Sequence, residues 1–170
     1  QAEAEAMAAE FEAAIRQRLG AAIYGTGEET LDEVLAGLLR ARGATLAVAE
    51  TITQGDLCRR LSACPDVFCG GVVANDGASL ARLLHLEGTE WDGQAGAEAI
   101  ARALRPACPP PDGEEAAAGK GYGLAVVGDG EEQPWLAVAG PDGVDSRPLR
   151  FRGRDRRARN WSTTVALEFL

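Results

Sequence analysis

Residues Thr45 to Arg82 hold the side chains best placed to do chemistry. They read TLAVAETITQGDLCRRLSACPDVFCGGVVANDGASLAR. Two hydroxyls, Thr51 and Thr53, follow the carboxylate of Glu50 and lead to Gly55. A second polar cluster, Asn75-Asp76-Gly77, follows the apolar run VFCGGVVA. A carboxylate at a strand end beside a helix N-terminus can bind a ligand hydroxyl or amide, or it can cap the helix, and Glu50 fits both roles. Gly55 at the helix start would let an anion approach free N–H groups. Asn75, Asp76 and Gly77 read as turn residues, with Asp76 as a helix cap.

These residues need elements to hold them. Thr45 to Glu50 is a short apolar run that breaks at Thr51, and a helical pattern follows from about Gly55 to Ala63, closed by Pro65. Val67 to Ala74 is apolar on both faces, as expected of a central strand. Gly70-Gly71 weakens such a strand unless another backbone or a ligand comes close there. Helices are expected over 78–86 and 95–105. The unit is strand, turn, helix, strand, helix, and in such units ligands sit where strands end and helices begin.

Upstream, Met7, Phe11, Ile15 and Leu19 recur at helical spacing over residues 3–19. Ile23-Tyr24-Gly25 reads as a short strand. Thr30 and Glu33 form a capping box for a helix over 30–42, ended by Gly43. Downstream, Pro106 to Gly121 is rich in Pro, Gly and small residues and reads as a mobile surface loop. Strands are expected at Tyr122 to Val127 and Trp135 to Ala139. Gly140-Pro141-Asp142-Gly143 then turns the chain into Val144 to Phe151, and a last helix starts near Asp155 or Asn160 and runs to Phe169. Together these patterns predict an α/β fold: a three-layer α/β/α domain over 44–170 with a mixed, mostly parallel sheet. Residues 1–43 form an N-terminal helical appendage.

Composition narrows the function classes. The net charge of −9 argues against nucleic acid or an anionic membrane as the partner. A basic cluster at Arg147, Arg150, Arg152, Arg154, Arg156, Arg157 and Arg159 reads as a solvated edge strand and helix start. Only Phe151 and Trp161 accompany it as aromatics. No apolar run is long enough to span a bilayer, and the acidic start is not a secretory signal. The chain opens without Met and reads as part of a longer protein. The four cysteines, Cys58, Cys64, Cys69 and Cys108, have neither zinc-site nor disulfide-framework spacing. Cys58 and Cys69 read as small core residues. With His85 as the one histidine, no histidine triad or metal site is expected.

Taken in order, these segments resemble the C-terminal domain of CinA, the competence- and damage-inducible protein family. The family's Glu-Ser-x-Thr-Gly-Gly motif reads here Glu50-Thr51-Ile52-Thr53-Gln54-Gly55. Its Ala-Tyr-Ser-Asn-x-x-Lys motif reads Ala74-Asn75-Asp76-Gly77-Ala78-Ser79-Leu80. Its Thr-Gly-Ile-Ala-Gly-Pro loop is reduced to Val127-Gly128-Asp129-Gly130. Gly70-Gly71 before two valines matches, as does the late hairpin LAVAGPDGV followed by LRFRG. The resemblance runs from Ile23 to Leu170. The first helix is similar to the end of the linking domain in longer members. The molybdopterin-binding-like domain of those proteins has no counterpart in this sequence.

The resemblance implies a cytoplasmic nicotinamide-nucleotide amidase that uses no cofactor and no metal. A serine would be its nucleophile and a lysine one helix later the base. Here Thr51 stands at the nucleophile position and Leu80 at the base position. An alcohol is a poor nucleophile without a base, and leucine cannot accept a proton. The extra methyl of threonine also restricts χ1 and crowds the attack path. Asp76 is a candidate substitute base, and Lys120 a candidate amine. Glu50, Thr53, Gly55, Asn75 and Gly128 are expected to contact ligand. The primary expectation is a degenerate amidase domain retained for structure, dimerisation or weak binding of a nicotinamide nucleotide. The alternatives are an active nicotinamide mononucleotide amidase using Thr51, and an interaction module for a missing N-terminal enzyme domain.

Overall fold

Thr45 to Glu50 forms β1, and every residue of this strand is buried. Such complete burial requires a strand neighbour on each edge and helices on both faces, and the computed structural model supplies all four. It describes residues 2–20, 23–25, 28–88, 90–105 and 120–170. Among these, β1 is flanked by β2 (Phe68–Val73) and β3 (Gly121–Val127), both parallel to it. Then β4 (Trp135–Gly140) and β5 (Gly143–Pro148) continue antiparallel, giving the order β2-β1-β3-β4-β5.

The helices are α1 (Ala2–Leu19), α2 (Leu31–Arg42), α3 (Asp56–Leu61), α4 (Gly77–Leu83), α5 (Gln94–Leu104) and α6 (Arg156–Glu168). Strand alternation divides the core between them. On one face Leu46, Val48, Leu124, Val126 and Leu136 pack with Leu35 and Leu39 of α2, Leu57 and Leu61 of α3, and Leu167 of α6. On the other face Ala47, Ala49, Ala125, Ala137 and Ala139 meet Leu80 of α4 and Ile100, Ala101 and Leu104 of α5. That second face is mostly alanine, so α5 comes close to the sheet. A Cβ on Gly123 would overlap the Ala101 carbonyl. Each large aliphatic side chain buried this way contributes about 1.5–3 kcal/mol.

Local signals explain the first packed helix. Glu33 N donates to Thr30 Oγ1 at 3.3 Å, and Thr30 N donates back to Glu33 Oε2 at 2.9 Å. Gly43 ends the helix at φ 58°. The bidentate pair between Arg60 and Asp32 then ties α3 to α2.

The structure corrects several expectations. Ile23-Tyr24-Gly25 is not a strand. β2 lies at the sheet edge rather than its centre, and its residues alternate between half-buried and exposed. An apolar run does not distinguish the two positions, because edge placement depends on which strands come later in the chain. Cys69 is exposed and disulfide-bonded rather than a core residue, and Cys58 is half-buried. Pairing in β5 ends at Pro148, short of the expected Phe151. The parallel part of the sheet is β2-β1-β3, and the remaining pairs are antiparallel. The Pro106-to-Gly121 loop falls, up to residue 119, outside the described residues, as do Cys108 and the start of the Thr26–Thr30 segment.

Candidate functional site

The strand order brings the C-terminal ends of β1, β2 and β3 side by side. Glu50 pairs in register with Val73 on one side and Val126 on the other. Ala74 N donates to Glu50 O at 3.1 Å, and Thr51 N donates to Val126 O at 3.0 Å. The loops after all three strands therefore share one edge, the usual ligand side of such a sheet.

Glu50 is fully buried. Its carboxylate accepts from Cys58 N at 2.9 Å and Leu57 N at 3.3 Å, so it sits on the free N–H groups at the start of α3. The carboxylate thus holds the place that an approaching anion would take at those two amides. It also affects Cys58: burial, together with the Glu50 carboxylate beside it, pushes the Cys58 thiol up to about 12, leaving it an inert thiol at neutral pH. Gly71 is explained by the same packing, since a Cβ there would overlap Cys58 Sγ.

Thr51 is buried, and its hydroxyl is used on both sides. Oγ1 donates to Gly128 O at 2.6 Å and accepts from Gly128 N at 2.9 Å. The one hydroxyl proton therefore lies on a backbone carbonyl. Leu80 is fully buried among Ala47, Ala49, Val127 and Ile100 in the alanine-rich half of the core. Asp76 caps α4: its carboxylate accepts from Ser79 N at 2.7 Å. That backbone N–H, followed by the Ser79 hydroxyl, holds Asp76 below the ordinary carboxylate value and makes it a weaker base. Lys120 is exposed beside Gly43.

Arg154, a member of the basic cluster expected at the surface, bridges the crevice. Its Nη2 donates to the carbonyl of Asn75. Its aliphatic stem lies over Gly130, where an added Cβ would come 3.2 Å from Arg154 Cγ. Its charge helps to lower both Asp76 and Asp129. The guanidinium thus joins the loop after β2 to the loop after β3, across the ends of the strands. Its Nε is buried without a hydrogen-bond partner among the described residues.

One cavity lies to one side of this bridge. It is about 470 Å³ and opens between residues 53–55, α3 and the start of α6. Of the residues singled out in the sequence, Thr53 and Gly55 line it; Glu50, Thr51, Asn75, Asp76, Leu80 and Gly128 are not among its lining. Three guanidiniums, Arg59, Arg156 and Arg159, face it against the single carboxylate of Asp56. Arg59 pairs with Asp56 at 2.7 Å, and Arg159 Nη1 donates to Gln54 Oε1 at 2.9 Å. Gln54 itself stands at φ 52°, in the left-handed region where glycine is at ease. Thr53 Oγ1 is buried and has no hydrogen-bond partner among the described residues. The grouping of Arg59 with Arg156 and Arg159 is not visible in the sequence, because they come from two distant segments, α3 and the start of α6. The one signal in the sequence is the basic run at the start of α6, whose simplest reading is a solvated surface.

No protein-family model matches the chain. A CinA-like protein of Frankia casuarinae is 36% identical over an alignment that takes in 99% of this chain and 41% of that protein. A CinA-like protein of Prochlorococcus marinus is 35% identical over 84% of this chain and 36% of its own length. The chain therefore spans about two-fifths of the curated relatives it matches. Among solved structures, a competence-damaged protein (CinA) superfamily protein from Enterobacter cloacae superposes with a TM-score of 0.63 at 18% identity, over 85% of this chain and 92% of that one. The corresponding superfamily protein from Escherichia coli gives 0.62 at 15% identity, over 89% and 98%. At those identities the structural likeness speaks for the fold, and the sequence matches carry the family. On the strength of those sequence matches, the chain belongs to the CinA-like family.

Proposed function

We propose that this chain is a CinA-like domain that has lost amide hydrolysis and keeps a cavity for a phosphorylated ligand of the nicotinamide-nucleotide class. The observation that carries the reading is Leu80. The resemblance puts a lysine base there, and the position is now part of a closed apolar core. Without a base, the Thr51 hydroxyl has almost no alkoxide at neutral pH. Its proton is held by the Gly128 carbonyl, which cannot carry it away. Asp76 offers little in exchange, because its carboxylate is committed to the α4 cap. Loss of a general base alone costs roughly 10²–10⁴-fold in rate.

Binding is the part of the family function that the residues still favour. A cavity faced by Arg59, Arg156 and Arg159 suits a phosphate, which guanidinium groups grip with paired charge-assisted hydrogen bonds. The deciding experiment measures ammonia release and calorimetric binding side by side, with nicotinamide mononucleotide as probe. The expected result is a rate equal to that of Thr51→Ala, with heat of binding that disappears in Arg156→Ala/Arg159→Ala. Ammonia release well above the Thr51→Ala background would overturn the non-hydrolytic reading. Absence of binding heat in the unmodified chain would overturn the ligand assignment.

A further inference from the structure

Gln54 stands in a backbone conformation that suits its residue type poorly. Its φ is 52°, and glycine follows at residue 55 with φ 89°. A long side chain in the left-handed region carries strain, and such strain persists where the surroundings hold it in place. Two bonds hold it here. Gln54 N donates to Thr51 O at 3.1 Å, and Gln54 Oε1 accepts from Arg159 Nη1 at 2.9 Å. A guanidinium has donors only, so the atom that Gln54 turns to Arg159 is its amide oxygen. Both residues line the arginine-faced cavity, and the amide oxygen sits on a donor that a phosphate oxygen would otherwise take.

The charge of this cavity is not balanced by its own side chains. Three guanidiniums face the one carboxylate of Asp56, an excess of two positive charges. The neutral amide of Gln54 leaves that excess untouched. A phosphomonoester, with a charge of about −1.5 to −2 near neutral pH, matches it. Thr53 lines the same cavity, and its Oγ1 is buried with no hydrogen-bond partner among the described residues. A buried hydroxyl in that position costs stability until an oxygen from outside the chain meets it.

Resting on the phosphate reading of this cavity, we propose that Gln54 is its built-in competitor. The amide oxygen holds Arg159 and must leave when a phosphate arrives. A phosphate dianion displaces it, because it offers the guanidinium paired bonds and an opposite charge. A neutral ligand group offers Arg159 nothing better than the amide already does. Gln54 thereby lowers the affinity of the cavity and reserves it for ligands that carry a phosphate dianion.

The test titrates the 170-residue chain and its variants by calorimetry, with urea midpoints to confirm that each variant is folded. The probes are inorganic phosphate, nicotinamide mononucleotide and the unphosphorylated nicotinamide riboside. Gln54→Ala should bind both phosphate probes roughly tenfold tighter than the parent. Gln54→Met keeps the bulk, loses the acceptor and should do the same. Gln54→Glu should bind them at least about tenfold more weakly, because a carboxylate holds Arg159 more firmly and cancels part of the excess charge. In an Arg159→Ala background, Gln54→Ala should change nothing. The riboside should give no binding heat with the parent. Equal phosphate affinity in the parent, Gln54→Ala and Gln54→Glu would overturn this role and leave the cavity a phosphate site. Gln54→Met behaving as the parent, a Gln54→Ala effect that persists without Arg159, or a riboside bound as tightly as the mononucleotide would overturn it too. Inorganic phosphate binding in the expected Gln54 pattern, with no binding of the mononucleotide, would support the role and overturn only the ligand assignment made above. No phosphate binding by either the parent or Gln54→Ala would overturn both.

Discussion

Thr51 and Gly128 exchange two hydrogen bonds, one in each direction, and so pin the end of β1 to the end of β3. A side chain takes the place of the next backbone pair in the ladder, just past the point where strand pairing stops. Thr51→Ala leaves the buried Gly128 amide without its donor–acceptor partner. It should lower stability by about 1–3 kcal/mol, read as a lower urea midpoint with an unchanged slope. Thr51→Ser should keep most of that stability. Loss of nothing in Thr51→Ala would mean that the hydroxyl plays no structural part.

Leu80→Lys should not rebuild a base. The site offers the lysine ammonium no solvent and no carboxylate among its core neighbours Ala47, Ala49, Ile100 and Val127. Burial favours the neutral amine, so the unfolded chain binds more protons than the folded one. Stability of this variant should therefore rise with pH, and at neutral pH it should fall several kcal/mol below the parent. Paired with Thr51→Ser it should still release no ammonia above background, since groups that act as a unit do not recover one at a time. A fully stable, pH-independent Leu80→Lys would show that the position reaches water.

The acid limb of stability should report Asp76 and Asp129. The Ser79 N–H lowers Asp76 from its ordinary 3.8, and the Glu132 and Glu131 N–H groups lower Asp129 from the same value. A carboxylate depressed in the folded state contributes stability that is complete above 3.8 and lost as pH falls through the lower folded value. Melting temperature should therefore hold steady between about pH 7 and 5 and decline below about pH 4. Asp76→Asn keeps a capping oxygen and removes the titration, so its decline should be shallower. An identical acid profile would remove Asp76 from the account.

Gly71→Ala should destabilise the chain by about 1–3 kcal/mol, because the new methyl overlaps Cys58 Sγ and lies 3.0 Å from the Val48 carbonyl. Adding Cys58→Ala should restore part of that loss. The backbone contact should keep the rest. Additive effects in a double-mutant cycle would mean that the two residues do not touch.

Phosphate recognition should be salt-sensitive and local. Arg159→Ala should weaken binding of nicotinamide mononucleotide roughly tenfold or more, and raised ionic strength should narrow the difference. Arg154→Ala removes the bridge to the Asn75 carbonyl rather than a cavity wall. It should leave that affinity within a few-fold.

Much of this protein is local, and local features are legible in sequence. The Thr30–Glu33 box and Gly43 stop depend on contacts within a few residues, so both ends of α2 could be named in advance. The same holds for Asp76 as the α4 cap and for Thr45–Glu50 as a strand. What needed the tertiary structure was every relation between distant segments. The edge position of β2 follows from β3 joining the opposite side of β1, a choice no property of Phe68–Val73 announces. The Glu50 carboxylate could have faced a ligand or a helix, and only the seating of α3 placed the amides of Leu57 and Cys58 on it. Arg154 and Arg159 read as surface charge until the packing of α6 carried them to Asn75 and Gln54. Short-range hydrogen bonds and strand periodicity are encoded residue by residue, whereas a cavity between two loops exists only once the chain between them has folded.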